Sequence, residues 1–345
     1  MRILLILASA GPMIGGMERQ VALQAKYMSG LKNAEISVIA APCFKDLFAS
    51  NIDFHPINMT RSRRNPLLLL QIHKIIRCNS PKLIHAHGHK AASILSAIKP
   101  LLNKSLALVA TAHNVKRNNR ALNKMDEVFV VSEGIQSAVH PIHSIVVHNG
   151  IEPCLLPPSD RRAFCKDFGL DPNLPLIFGV GRLVKTKKFE YLVRAAKGLE
   201  ANVVILGDGP ELKSLKSLAS ENVRFAGYRS DTRSLLYIAD MMVITADRDG
   251  FSLALIEALH SHLPVLSTSV PGAQDLLPHD CLIDETDEIH LQAFIKHHLD
   301  NLQALKQTQQ TQFNYAETEL KIERVAEHTY TQYHTVVSTK NKMFG

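Results

Sequence analysis

The stretch that decides the fold is residues 244–272, ITADRDGFSLALIEALHSHLPVLSTSVPG. The apolar run Met241–Thr245 predicts a buried strand, and the polar run Asp247–Gly250 is typical of a loop after it. The apolar spacing of Leu253–Leu259 predicts a helix, and Val265–Ser269 a second buried strand. Strand, loop, helix and strand in this order indicate a parallel α/β sheet.

The loop and the helix start in this stretch have the chemistry of a ligand site. Gly250 permits a tight turn and Ser252 suits an N-cap, which leaves backbone N–H groups free to face a phosphate. In an open parallel sheet, ligands bind at the carboxyl ends of the strands. The carboxylates of Asp249 and Glu257 would accept hydrogen bonds from hydroxyls that flank the phosphate, which predicts a nucleotide sugar. An ordinary βαβ unit with two solvated acids is the alternative.

The same residues resemble the acidic signature of the retaining glycosyltransferases of family 4, which have the GT-B fold. The signature reads E-G-F-G-L-x-x-x-E-A, and residues 249–258 read DGFSLALIEA. Asp249 replaces the first glutamate and Ser252 the second glycine. The resemblance implies an α/β chain of two doubly wound Rossmann-like domains facing a cleft. The donor-binding residues that it implies here are Asp249, Gly250, Phe251, Ser252, Leu253 and Glu257.

Length and composition are those of a globular chain. With 345 residues, 46% of them hydrophobic and 21% charged, the chain is long enough for two domains with separate cores. Apolar runs stay below the roughly 18 residues needed to span a bilayer, and Met1–Ala10 is interpreted as a first strand rather than a signal peptide. The cysteines lack a close pairing pattern, which predicts free thiols and a cytoplasmic location.

Positive charge is concentrated in the amino-terminal part. Residues 1–150 hold 18 Lys and Arg against 7 Asp and Glu, whereas the whole chain carries a net +7. A basic surface predicts an anionic partner, and nucleic acid is the weaker choice because aromatic residues rarely alternate with the basic ones. Arg61, Arg63 and Arg64 precede the apolar helix predicted at Leu67–Ile76. We expect these residues to make peripheral contact with the anionic inner face of the cytoplasmic membrane. The alternative is that the arginines form only a solvated basic loop.

The amino-terminal half contributes three candidate site residues. Gly15 and Gly16 follow the strand predicted at Arg2–Ser9 and resemble the family's G-G-x-E-R loop, whose backbone faces the donor diphosphate. His113 ends the strand predicted at Leu106–His113, where an imidazole can polarise a substrate hydroxyl. The resemblance places the corresponding histidine near the transferred sugar. A purely structural histidine is the alternative.

Two sequence features could be taken for metal sites. Residues 85–89 read HAHGH, but Gly88 is expected to end the strand and no carboxylate or cysteine is close in sequence. The triplet Asp247-Arg248-Asp249 lies inside the acidic signature, where Arg248 would repel a cation. We therefore expect no metal and no other cofactor.

The carboxy-terminal half contains a basic pair. Gly181-Arg182-Leu183 followed by Lys187 resembles the family's G-R-L-x-x-x-K pattern, although Lys188 stands where glycine is usual. Arg182 and Lys187 could neutralise a departing nucleoside diphosphate without a metal; a helix start that is basic only for solubility is the alternative. The further donor-binding residues implied by the family's turns are Gly207, Asp208, Gly209, Tyr228 and Arg229.

The prolines between residues 152 and 175 predict a linker there. We expect an acceptor-side domain at 1–160, a nucleotide-sugar domain at 161–320, and a helix at 321–345 that returns to the first domain.

The resemblance implies a retaining hexosyltransferase that uses a UDP-linked sugar and a saccharide or lipid-linked acceptor in lipopolysaccharide or surface-polysaccharide synthesis. Its implied catalytic residues are His113, Arg182, Lys187 and Asp249. A nucleotide-sugar 2-epimerase of similar fold and a catalytically silent nucleotide-sugar-binding module are the alternatives.

Overall fold

The computed structural model describes residues 1–11, 14–116, 118–140, 142–284 and 287–344. Within them the chain divides into a first unit, Met1–Ile151 with Leu320–Gly345, and a second unit, Glu152–Glu319. The first unit thus ends at Ile151 rather than at residue 160. The reason is that Ile151 N donates to Leu320 O at 3.0 Å and Ile151 O accepts from Ile322 N at 3.0 Å, so the returning segment is joined to the chain at this point.

The first unit is built on a parallel sheet whose central strands are buried along almost their whole length, as expected of strands covered on both faces. In spatial order the strands run β3-β2-β1-β4-β5-β6-β7. Their bounds are β1 Arg2–Leu7, β2 Glu35–Ala40, β3 Asp53–Pro56, β4 Leu83–His87, β5 Ala107–Ala112, β6 Glu127–Val130 and β7 Ile145–Val146. The connecting helices are α1 Gly16–Ser29, α2 Pro66–Asn79, α3 Gly88–Ile98 and α4 Glu133–Val139.

The second unit repeats this architecture, with its parallel strands in the spatial order β10-β9-β8-β11-β12-β13. The strands are β8 Leu176–Val180, β9 Asn202–Leu206, β10 Val223–Gly227, β11 Met241–Ile244, β12 Val265–Thr268 and β13 Leu282–Ile283. The helices are α5 Arg161–Asp167, α6 Phe189–Ala195, α7 Leu212–Leu218, α8 Thr232–Leu236, α9 Leu253–His260, α10 Pro271–Leu276, α11 Glu288–Leu299, α12 Leu302–Thr308 and α13 Gln310–Glu319.

The last helix, α14 (Ile322–Phe344), belongs to the first unit, where it packs against α1 and β5. The predicted range 321–345 also includes Gly345, which lies outside the described residues. Tyr333 of α14 is fully buried. In the part of the chain that the structure describes, helices both long and apolar enough to cross a bilayer are absent.

Each sheet has one place where the order of the strands reverses. In the first unit this switch point lies between β1 and β4, and in the second between β8 and β11. The connections that follow the two strands run in opposite directions across the sheet. The loops at the carboxyl ends of these strands therefore diverge and form a crevice between them. The predicted doubly wound α/β fold is confirmed.

Candidate functional site

The loops after β8 and β9 pack backbone against backbone. Leu183 N donates to Asp208 O at 2.9 Å. A Cβ atom on Gly207 would overlap the carbonyl oxygen of Gly181, and one on Gly209 would overlap that of Leu183. Gly207 also has a φ of +145°, which disfavours other residues. The predicted residues Gly181, Gly207 and Gly209 therefore hold the two loops together, which positions the segment that carries the basic pair.

Lys187 ends a short 3-10 turn, Lys185–Lys187, directly before α6. Its carbonyl oxygen accepts a hydrogen bond from Thr245 Oγ1 at 2.9 Å, at the end of β11. Lys188, where the family usually has glycine, has the left-handed φ of +52°. For a residue with a side chain this conformation costs on the order of 1 kcal/mol. The departure noticed in the sequence is therefore a point of backbone strain beside the site.

Lys187 forms an ion pair with Asp249. Lys187 Nζ lies 2.5 Å from Asp249 Oδ2, and the two side chains are 24% and 15% exposed. Asp247 N donates to Thr186 O at 3.1 Å, which joins the two loops a second time. Because β8 and β11 are neighbours, this pair lies at the switch point of the second sheet. Two side chains that the sequence assigned to different parts of a donor are thus in direct contact.

Arg182, the other member of the predicted basic pair, is exposed. Its side chain makes no hydrogen bond or ion pair with the residues that the structure describes. A guanidinium in this state keeps its donors available to an anion.

The start of α9 lies against the start of α10. Ser252 occupies the predicted N-cap position, although its side chain makes no capping hydrogen bond. A Cβ on Gly272 would lie 2.6 Å from Phe251 Cα, so glycine is needed for this approach. Phe251 and Ser252 are buried, and Glu257 is half-buried on the same helix. The acidic signature therefore forms one wall next to the Lys187–Asp249 pair.

Tyr228 and Arg229 follow β10. The Tyr228 side chain is 67% exposed, whereas Arg229 is paired with Asp231 through contacts of 2.8 and 2.6 Å. The hydrogen bond from Arg229 lowers the pKa of Asp231. As a predicted donor-binding residue, Arg229 already has a carboxylate partner.

In the first unit, the glycine loop after β1 is organised by Glu18. Glu18 is buried, accepts a hydrogen bond from Gly15 N at 2.8 Å and contacts the hydroxyl of Ser9. Gly15 caps α1, which begins at Gly16. The backbone N–H of Gly15, predicted to face a phosphate, is therefore engaged by Glu18. Sequence reasoning assigned no role to Glu18, although the spacing Gly15-x-x-Glu18 is that of a capping box.

A layer of histidines lies beside the switch point of the first sheet, with His85 and His87 buried and His113 half-buried. His85 Nδ1 lies 2.5 Å from the Tyr333 hydroxyl, and His85 Nε2 lies 2.6 Å from Thr111 Oγ1. His113 Nε2 lies 3.5 Å from His87 Nδ1. Among the described residues, His87 Nε2 has no hydrogen-bond partner. The rings line a cavity of about 10 Å³, measured as the space open to the centre of a water molecule, which is enough for one water.

Burial keeps these imidazoles neutral. Desolvation, with a smaller contribution from His113, lowers the pKa of His85 to about 3, and desolvation, with a smaller contribution from His89, lowers that of His113 to about 4. A neutral His113 can donate or accept a hydrogen bond to a hydroxyl without presenting a charge.

The structure thus divides the predicted site residues between the units. His113, Gly15 and Gly16 lie in the first unit, and the basic pair, the acidic signature and the turns after β9 and β10 lie in the second. Within the described ranges, no group of three or more His, Cys, Asp or Glu side chains is placed to hold a metal ion.

Comparison with known families decides the class of protein. Residues 14–154 match the model of Glycosyltransferase Family 4, and residues 160–313 match that of Glycosyl transferases group 1. The chain belongs to the glycosyltransferases of the GT-B fold. This family consists of enzymes that transfer sugars.

Individual glycosyltransferases share low sequence identity with this chain or align with only part of it. N-acetyl-alpha-D-glucosaminyl L-malate synthase of Bacillus anthracis is 24% identical over 226 residues, which are 57% of this chain and 59% of that protein. Lipopolysaccharide core biosynthesis glycosyltransferase LpsE of Rhizobium meliloti is 33% identical over 108 residues, 30% of this chain and 32% of its own. The alignments thus span less than two thirds of either relative. The crystal structure of Anabaena Alr3699/HepE in complex with UDP and glucose shares the fold, with a TM-score of 0.81 at 20% identity over 97% of this chain and all of that one.

Proposed function

We propose that this glycosyltransferase moves a hexosyl group from a UDP-linked sugar to a saccharide or lipid-linked acceptor of a bacterial surface polysaccharide, with retention at the anomeric carbon. The observation that carries the proposal is the grouping of Lys187 and Asp249 at the β8–β11 switch point, on the loop that also bears Arg182. The cationic side chains can form ion pairs with a diphosphate, and the carboxylate can accept a hydrogen bond from a sugar hydroxyl. This grouping therefore has the chemistry to bind both parts of a nucleotide sugar. The lipopolysaccharide role of one relative and the UDP and glucose bound to the Anabaena protein support the same substrate class.

Each site residue has a role in this proposal. Arg182 and Lys187 stabilise the charge that develops on the leaving diphosphate, which makes a metal unnecessary. Asp249 accepts a hydrogen bond from a hydroxyl of the transferred sugar, and Glu257 accepts from the ribose. His113, neutral at pH 7, bonds a hydroxyl of the sugar or the acceptor. The leaving phosphate takes the acceptor's proton on the face from which it departs.

The test is incubation of the purified chain with UDP-, GDP- and ADP-linked glucose, galactose and N-acetylglucosamine and a panel of saccharide acceptors. Nucleoside diphosphate release should accompany glycoside formation, and proton NMR should show the donor's anomeric configuration in the product. Epimerised donor without glycoside would favour the 2-epimerase. Tight binding without turnover on any donor would favour a silent binding module.

We further propose that α2 rests on an anionic membrane. Leu67 and Leu70 of α2 and the nearby Leu101 are 61%, 59% and 63% exposed. His73 Nε2 lies 3.3 Å from Leu101 O, which links α2 to the segment that carries Leu101. The loop of residues 61–64 before α2 supplies three arginines. Near an anionic lipid surface each is worth about 1 kcal/mol.

Sedimentation with vesicles tests the membrane proposal. The chain should sediment with phosphatidylglycerol vesicles and remain in solution with phosphatidylcholine alone. The double change Leu67→Glu and Leu70→Glu should abolish sedimentation. Leu155→Glu, at a 90% exposed leucine of the second unit, is the matched control and should sediment like the wild type. Equal loss in the control would contradict a specific role for α2.

A further inference from the structure

The Lys187–Asp249 ion pair joins two groups that the proposed function uses for different parts of the donor. The pair is short, at 2.5 Å, and mostly shielded from solvent. Both backbones are held in place, because the loop of Lys187 is bonded to Thr245 and the loop of Asp249 is bonded to Thr186. The two backbones therefore stay close to each other, while the flexible four-carbon stem of Lys187 lets its ammonium turn away from Asp249.

A diphosphate bound at this site must compete with Asp249 for Lys187. When a nucleoside diphosphate binds alone, the Lys187 ammonium has two positions. If it stays on Asp249, it attracts the diphosphate less. If it turns to the diphosphate, it leaves the partly buried Asp249 carboxylate without a partner, which costs free energy. With an intact nucleotide sugar, a sugar hydroxyl donates to Asp249, so Lys187 can turn to the diphosphate at little cost. Arg182, which has no side-chain partner among the described residues, bears no such constraint.

We propose that Asp249, besides contacting the sugar, lowers the affinity of the site for the nucleoside diphosphate product by reclaiming Lys187 once the sugar has left. This inference rests on the proposed function. The Asp249 carboxylate would then promote product release as well as contact the sugar. The affinity for the diphosphate would depend on whether the sugar position is occupied.

The test is calorimetric titration of UDP into the wild type and four variants. Asp249→Asn keeps the shape of the side chain but removes its charge, and should bind UDP about tenfold more tightly than the wild type. Asp247→Asn is the matched control: it removes the same charge two residues away, from a side chain that is 38% exposed and lies 3.9 Å from Arg248. It should change the Kd less than twofold.

The dependence on Lys187 separates this mechanism from a general change in charge. Lys187→Ala should weaken UDP binding, and adding Asp249→Asn to it should give no tightening. Equal effects of the Asp247 and Asp249 changes, or tightening that persists without Lys187, would overturn the inference. So would unchanged or weaker UDP binding by Asp249→Asn, provided that thermal unfolding shows a folded protein.

Failure of the proposed function is a different result. If the wild type binds none of UDP, GDP and ADP, the nucleotide-sugar assignment is wrong and the inference falls with it. If the wild type binds one of them and Asp249→Asn binds it no more tightly, the donor site stands and only the release role is lost. Product inhibition supplies a second readout: the inhibition constant for UDP should fall in Asp249→Asn relative to Asp247→Asn.

Discussion

Lowering the pH from 7 to 5 should destabilise the first unit through His85 and His113. The pKa values of His85 and His113 are lowered from 6.5 to about 3 and about 4, chiefly by desolvation. Below pH 6.5 the unfolded chain therefore binds more protons than the folded one. The stability that these residues contribute is complete above pH 6.5 and is lost as the pH falls towards the folded pKa values.

The magnitude follows from the size of these shifts. A histidine kept neutral in the folded state lowers the unfolding free energy by about 1.4 kcal/mol for each pH unit below 6.5. By pH 5, His85 and His113 together should cost about 4 kcal/mol relative to pH 7. His87, whose pKa burial also lowers, adds to this. Since a typical domain is stable by about 5–15 kcal/mol, this loss is a large fraction of the first unit's expected stability.

Urea unfolding at pH 7, 6 and 5 measures the effect. Far-UV circular dichroism is the suitable probe because the chain contains no tryptophan, and amide hydrogen exchange assigns the transition to the first unit. His113→Asn should reduce the slope of the unfolding free energy against pH by about 1.4 kcal/mol per pH unit, which corresponds to one proton. His143→Asn, at a side chain that is 84% exposed, is the control for the loss of a histidine. Stability that does not fall between pH 7 and 5, or a wild-type slope in His113→Asn, would refute the reasoning.

Four further predictions concern the second unit. Lys187→Ala should cost about 3 kcal/mol of transition-state stabilisation, roughly a hundredfold in kcat; wild-type turnover at saturating donor would contradict the diphosphate role. Activity should persist after dialysis into excess EDTA; abolition with rescue by Mn²⁺ would make Asp247 and Asp249 the first candidate ligands. Asp249→Asn should lose roughly one to three orders of magnitude in kcat/KM, and Asp249→Glu should change the preferred donor, which UDP-glucose, UDP-galactose and UDP-N-acetylglucosamine assays would measure. Lys188→Gly should raise the unfolding free energy by roughly 0.5–1 kcal/mol in urea titrations, because glycine adopts the left-handed φ without strain; a destabilised variant would show that the contacts of the lysine outweigh that strain.

The sequence by itself determined the fold class and supplied most of the candidate site residues of the second unit. Strands covered by helices on both faces are largely continuous apolar runs, and β1, β5 and β11 could be placed from such runs alone. Glycine is required wherever two backbones touch, so the turns at Gly181 and Gly207 were visible as local patterns. The acidic signature is equally local, since its two carboxylates belong to one loop and the helix after it.

Local patterns were less reliable at element ends. Residues 287–307 and 317–336 each have the polar-rich amphipathic pattern of one helix. The structure divides the first range into α11 and α12, and the second range spans the end of α13 and most of α14. Both breaks occur in polar segments whose composition suits a helix or a turn, so periodicity alone did not locate them.

Only the tertiary structure decided which distant residues meet. The first unit ends at Ile151 because Leu320 and Ile322, at the start of the returning segment, form hydrogen bonds with it. The prolines that predicted the linker do not indicate this pairing. Lys187 and Asp249 are 62 positions apart, and His85 and Tyr333 are 248 apart. Each pair forms because sheet order or helix return brings two chain segments together, and no local run of residues encodes that proximity. The chemistry of each side chain can be read from its neighbours in sequence, but its partner is set by which strands and helices are neighbours in space.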